Sequence, residues 1–92
     1  MIEDQTTEFK ETWRDEYLKT ICAFANTEGG IVYVGIDDKG NDLGIVNANK
    51  LLEDLPNKIV NTLGILPEIK IEYRNSKQIL SVAVNKLSLI HI

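Results

Sequence analysis

The sequence predicts an α+β domain of two layers, with elements in the order β-α-β-β-α-β-β. Three observations carry that prediction. Apolar residues recur at helical spacing in two separate stretches, Trp13 to Ala25 and Ala48 to Leu63. The run Ile31 to Ile36 is apolar on both faces, as a buried central strand requires. Two runs near the end of the chain, Ile69 to Arg74 and Leu80 to Val84, alternate at the period of a half-buried hairpin.

Each element has its own local reason. Thr6 to Lys10 can form a short first strand. Trp13, Tyr17, Ile21 and Phe24 then mark one helix face, widened by Leu18, Cys22 and Ala25. Thr12 is the expected N-cap, and Asp15 and Glu16 favour the positive helix start. Asn26, Thr27 and Gly29-Gly30 end that helix. After the central strand, Asp37-Asp38-Lys39-Gly40-Asn41 has turn chemistry, so Leu43 to Val46 is expected to return as a hairpin partner. Asn47 is a candidate cap for the second helix, and Gly64 stops it. Pro56 lies inside its pattern and predicts a kink or break near Leu55, because proline lacks the backbone donor. Ile69, Ile71 and Tyr73 alternate with Lys70, Glu72 and Arg74. The Asn75-Ser76 turn follows, and then Leu80, Val82 and Val84 alternate with Ser81 and Ala83. Residues 1–86 form the expected domain. Residues 87–92 add an apolar stretch after a completed strand, and they are read as a truncated or misread end that carries no weight.

Composition narrows the class. Of 92 residues, 43% are hydrophobic and 26% charged, a globular balance in a chain that buries only a modest core. No apolar run approaches the roughly 20 residues of a membrane span. The acidic, polar beginning is not a signal peptide, and the single Cys22 fits a reducing compartment, so the expectation is a cytoplasmic protein without a membrane partner. The net charge of −4 is unevenly spread: residues 1–16 carry six acids and two bases, whereas residues 66–92 carry four bases and two acids. Such a gradient suits a site that holds a metal or orients a ligand. It also suits an ordinary solvated surface, the commoner case.

The motifs exclude more than they assign. Gly29, Gly30 and Gly35 do not make the GxGxxG fingerprint, and no GxxxxGK[ST] loop is present, so a phosphate-loop nucleotide site is unsupported. His91 and Cys22 are the only residues of their kinds and cannot build a zinc set or a nucleophile–histidine pair. Glu3 and Glu8 flank the first strand, and Asp37 and Asp38 follow the central one. If those strands are neighbours, their carboxylates could converge on Mg²⁺ or Mn²⁺, although acids at strand ends are usually turn formers. Bases that could meet phosphates are Lys10, Arg14, Lys39, Lys70, Arg74 and Lys77. Trp13, Tyr17 and Phe24 read as core rather than as stacking platforms.

Taken in order, Glu8-Phe9-Lys10 preceded by Glu3, then Ala23-Phe24-Ala25-Asn26-Thr27-Glu28-Gly29-Gly30, then Val34-Gly35-Ile36-Asp37-Asp38-Lys39-Gly40 resemble the Schlafen AlbA-like domain over about Glu3 to Lys86. The resemblance implies an AlbA-like two-layer sandwich and DNA or RNA binding. It also implies a place at the N-terminus of a longer bacterial transcriptional regulator, ahead of an ATPase-like region to which any ATP-linked function would belong. Some animal members are metal-dependent endoribonucleases acting on structured RNA such as tRNA. Their three metal-associated acids correspond here to Glu3, Glu8 and Asp38, which would be both catalytic and Mg²⁺- or Mn²⁺-binding in that alternative. Those enzymes clamp RNA with a pair of such domains, so a single copy would need a homodimer. Three readings follow: a nucleic-acid-binding module first, a nuclease second, and a dimerisation or scaffold module for an absent ATPase-like region third. The net charge of −4 favours the third over the first, and the family favours the first.

Overall fold

The computed structural model describes residues 6–86. Glu3 and the 87–92 stretch therefore lie outside the described residues. The chain forms β1 (Thr7–Lys10), a 3₁₀ turn (Asp15–Tyr17), α1 (Leu18–Ala25), β2 (Gly29–Val34), α2 (Ala48–Leu63), β3 (Glu68–Arg74) and β4 (Lys77–Asn85). One four-stranded sheet has the order β1-β2-β4-β3. β1 and β2 are parallel, with Lys10 opposite Val34, and the other pairings are antiparallel. The expected two-layer α+β class stands.

Both helices cover one face of that sheet. Ile21, Phe24 and Ala25 of α1 join Leu51, Leu55 and Ile59 of α2 over Val32, Val34, Leu80, Val82 and Val84. On the opposite face, Phe9, Ile36 and Ile79 form a smaller buried cluster against Tyr33. The β3–β4 hairpin closes on Asn75 and Ser76 at φ 50° and 64°, the positive values that match a two-residue turn to the twist of its strands.

Three local expectations are corrected. Leu43 to Val46 is not a strand. Its pairing shrinks to a single bridge between Ile36 and Asp42, and the amides of Leu43 and Gly44 both donate to the Gly35 carbonyl, at 2.7 and 2.9 Å. Gly44 turns the backbone to φ 78°, which ends any ladder there, and the Ile45 amide bonds instead to the Gln78 carbonyl at 2.9 Å. The first helix starts later than its apolar period suggests. Arg14 is extended, and the α-helix begins only at Leu18, so Thr12 caps nothing. The Asp15 carboxylate accepts from the Trp13 indole at 3.0 Å and from the Lys58 ammonium at 2.9 Å, which ties residues 13–15 to α2 as a turn.

The second helix is not broken at Pro56, and it runs continuously from Ala48 to Leu63. An interior proline costs about 3 kcal/mol. Burial of Leu55 and Ile59 on either side offsets it, at roughly 1.5–3 kcal/mol each. Asn47 occupies the cap position but makes no side-chain cap bond.

Candidate nucleic-acid interface

The sheet topology gathers several loops at one end. β1 and β2 both finish there, at Lys10 and Val34, and the antiparallel partners bring Arg74 and Lys77 to the same end. The Lys10 carbonyl accepts the amides of Gly35 and Ile36, at 2.7 and 3.2 Å, and so binds the 35–46 loop to the end of β1. Ligands of parallel strand pairs commonly sit just beyond such carboxyl ends.

A polar cleft of about 360 Å³ opens at that point, lined by Phe9, Lys10, Glu11, Thr12, Arg14, Tyr17 and Asp38. The Lys10 ammonium sits 4.4 Å from the centre of the Tyr17 ring and 3.3 Å from the Glu8 carboxylate, a position that fixes its direction and pairs its charge with Glu8. Arg14 projects from the extended residue before the 3₁₀ turn. Its side chain is 67% exposed and its contact with Glu16, at 3.9 Å, is loose. Exposed pairs of that kind contribute little, so the guanidinium is available to a ligand. Asp38 lines the cleft and Lys39 stands exposed beside it.

Asp37 has a different job from its neighbour. Its carboxylate accepts the amides of Lys39 and Asn41, each at 2.9 Å, and the Asn41 side-chain amide at 3.1 Å. The Asn41 amides, the backbone one first, hold this carboxyl below its ordinary value of 3.8. A depressed carboxyl stabilises the folded turn above the unfolded value and loses that effect as pH falls through the folded one. An NMR titration is therefore expected to place the Asp37 midpoint below 3.8, with the Lys39 and Asn41 amides shifting in step. A midpoint at or above 3.8 would mean that the turn does not hold this geometry in solution.

The six bases singled out in the sequence separate into groups. Lys10 and Arg14 share the cleft, and Lys39, which does not line it, is exposed next to Asp38 in the chain. Arg74 and Lys77 reach the same sheet end but are engaged on the face away from the helices. The Arg74 guanidinium lies 5.1 Å from the Tyr33 ring centre, 3.1 Å from Glu72 and 3.9 Å from Asp42, while Lys77 donates to the Asp42 carbonyl at 3.1 Å. Lys70 stands opposite Ser81, further along β3 and away from the cleft.

Of the three acids, Glu8 is held by Lys10, Asp38 lines the cleft, and Glu3 lies outside the described residues. Among the described residues no three metal-ligating side chains come together, and the third acid of the expected set, Glu3, lies outside them. Tyr17, read from the sequence as core, is a cleft residue. Its place in the i, i+4 pattern with Trp13 signals a buried face, and nothing local announces that Lys10 covers its ring.

No helix among the described residues is long and apolar enough to cross a membrane. A search of curated proteins finds no match. Among solved structures, the DIP2311 protein of Corynebacterium diphtheriae is similar at 22% identity and a TM-score of 0.74, over 91% of this chain and 18% of that one. The N-terminal domain of a RecG-related protein from Nitrosomonas europaea is similar at 24% identity and a TM-score of 0.73, over 91% of this chain and 63% of that one. The chain thus spans less than two thirds of either, and the likeness is one of fold. The family model described as Schlafen, AlbA_2 matches residues 3–91, nearly the whole sequence, and the chain belongs to that family.

Proposed function

We propose that this domain binds nucleic acid through the cleft at the ends of β1 and β2. The observation that supports the reading is the meeting of Lys10 and Arg14 in one polar cleft, with the exposed Lys39 following the cleft residue Asp38 in the chain. Two or three bases set its scale. Each phosphate neutralised adds about 0.9 to the salt slope of duplex binding, so the slope is expected near 2–3, well below that of a strongly basic protein. The surrounding acids Glu11, Glu16 and Asp38 keep the affinity modest and the association dependent on correct orientation. In a longer bacterial regulator, such a domain would supply recognition while other regions supply any ATP-linked step.

The test is retention of labelled tRNA and duplex DNA by the purified domain at low salt, with Mn²⁺ and with chelator. Retention that falls with a salt slope of about 2–3, without cleavage, supports the proposal. Metal-dependent cleavage lost in Glu8→Gln would replace it with the nuclease reading. Absence of both signals would leave a folding or dimerisation module instead.

A further inference from the structure

The strip of chain between β1 and the 3₁₀ turn has a second hollow on its other side. It holds about 410 Å³ and is lined by Thr12, Trp13, Gly44, Ile45, Val46 and Asn47. Thr12 belongs to both hollows, so this pocket begins where the basic cleft ends. Trp13 is only partly buried. It meets Tyr17 edge to face, with ring centres 5.9 Å apart at 87°, and Tyr17 in turn carries the Lys10 ammonium. An aromatic relay therefore connects the phosphate-facing cation to the wall of the second pocket.

The chemistry of that pocket suits a flat, partly polar ring. The Trp13 indole is fixed by its bond to Asp15, and Ile45 packs against the main core beside it. Val46 is fully exposed on the rim and offers apolar surface there. The Thr12 hydroxyl and the Asn47 amide make no side-chain hydrogen bond among the described residues, and Asn47 forgoes the cap bond its position offers. Together they present donors and acceptors at the edge of an aromatic wall. A backbone phosphate in the Lys10–Arg14 cleft would leave its attached base within reach of this pocket.

We infer that the Trp13–Asn47 pocket accepts an unpaired nucleobase, so that the domain prefers single-stranded segments or loops over regular duplex. This rests on the proposed nucleic-acid binding and specifies its substrate. A base stacked inside a duplex cannot enter a side pocket without being extruded, whereas a single strand offers one freely.

Trp13 is the sole tryptophan, so the intact protein carries its own reporter. Its emission would be titrated at low salt with an oligothymidine strand, an abasic strand of equal length and a blunt duplex. Anisotropy of a label on each nucleic acid would give binding independently. The expected result is quenching by oligothymidine and an affinity roughly tenfold above that for the abasic strand, in line with one stacked base. Equal binding of all three with unchanged emission would overturn the base pocket and leave phosphate binding intact. No anisotropy change with any strand would overturn both.

Discussion

Gly29→Ala is expected to destabilise the domain severely. Gly29 opens β2 opposite Asn85 at φ 83°, where an L side chain is strained. A Cβ there would lie 2.8 Å from the Val84 carbonyl oxygen and 2.9 Å from the Lys86 nitrogen. Both are backbone atoms of the neighbouring strand end, so relief requires opening the β2–β4 ladder rather than turning a side chain. Strain and lost pairing together are expected to cost about 3 kcal/mol or more, a large share of the stability of so small a domain. At about 4–8 °C per kcal/mol, the midpoint of thermal unfolding by circular dichroism should fall by roughly 12–24 °C. Gly64→Ala is the control. Gly64 has a similar φ of 68° but nothing within 4 Å of an added Cβ, so only backbone strain of about 1 kcal/mol remains. Equal shifts for the two variants would show that the clash at Gly29 relaxes freely.

Such contacts explain which parts of the fold could be read in the sequence. The β3–β4 hairpin was legible because its apolar residues recur near the strand period and Asn75-Ser76 tolerates the turn it makes, although β4 proves buried on both faces from Ile79 to Val82 and Tyr73 is exposed. The second helix was legible from Leu51, Leu55 and Ile59, and their burial carries the helix across Pro56 against the local propensity. Leu43 to Val46 misled because its apolar residues look like a strand while Gly44 bends the chain away. The start of the first helix misled because Trp13 continues the apolar period, yet its indole and Lys58 engage Asp15 and hold a turn instead. The Lys58–Asp15 contact joins residues 43 apart, and no local window contains it.

The site shows the same division. Lys10, Arg14 and Asp38 were identifiable by residue type, but their meeting depends on β1 and β2 being parallel neighbours. The same geometry set Arg74, Lys77 and Lys70 apart from them. Trp13 does pack against the main core, whereas Tyr17 was assigned there because periodicity records which face is apolar, not how completely it is covered.

Charge reversal at the open bases is the other change with a large expected effect. Arg14→Glu combined with Lys39→Glu should lower affinity for nucleic acid roughly a hundredfold at low salt, about 2.7 kcal/mol. Both side chains are exposed and neither belongs to the buried core, so the fold should keep its stability within about 0.5 kcal/mol. Two phosphate contacts vanish, which lowers the salt slope by about 1.8, and two new carboxylates repel the backbone from beside Glu11, Glu16 and Asp38. The slope separates causes that affinity alone would merge. A loss of affinity with an unchanged slope would mean that the reversal disturbed orientation while phosphates are neutralised elsewhere. An unchanged affinity would move the interface to the opposite face, where Arg74 and Lys77 gather around Asp42. Lys10→Gln, read in parallel, tests the cleft floor: it removes the cation above Tyr17 and frees Glu8 to repel a phosphate, so its binding loss should exceed the effect of neutralising Lys70.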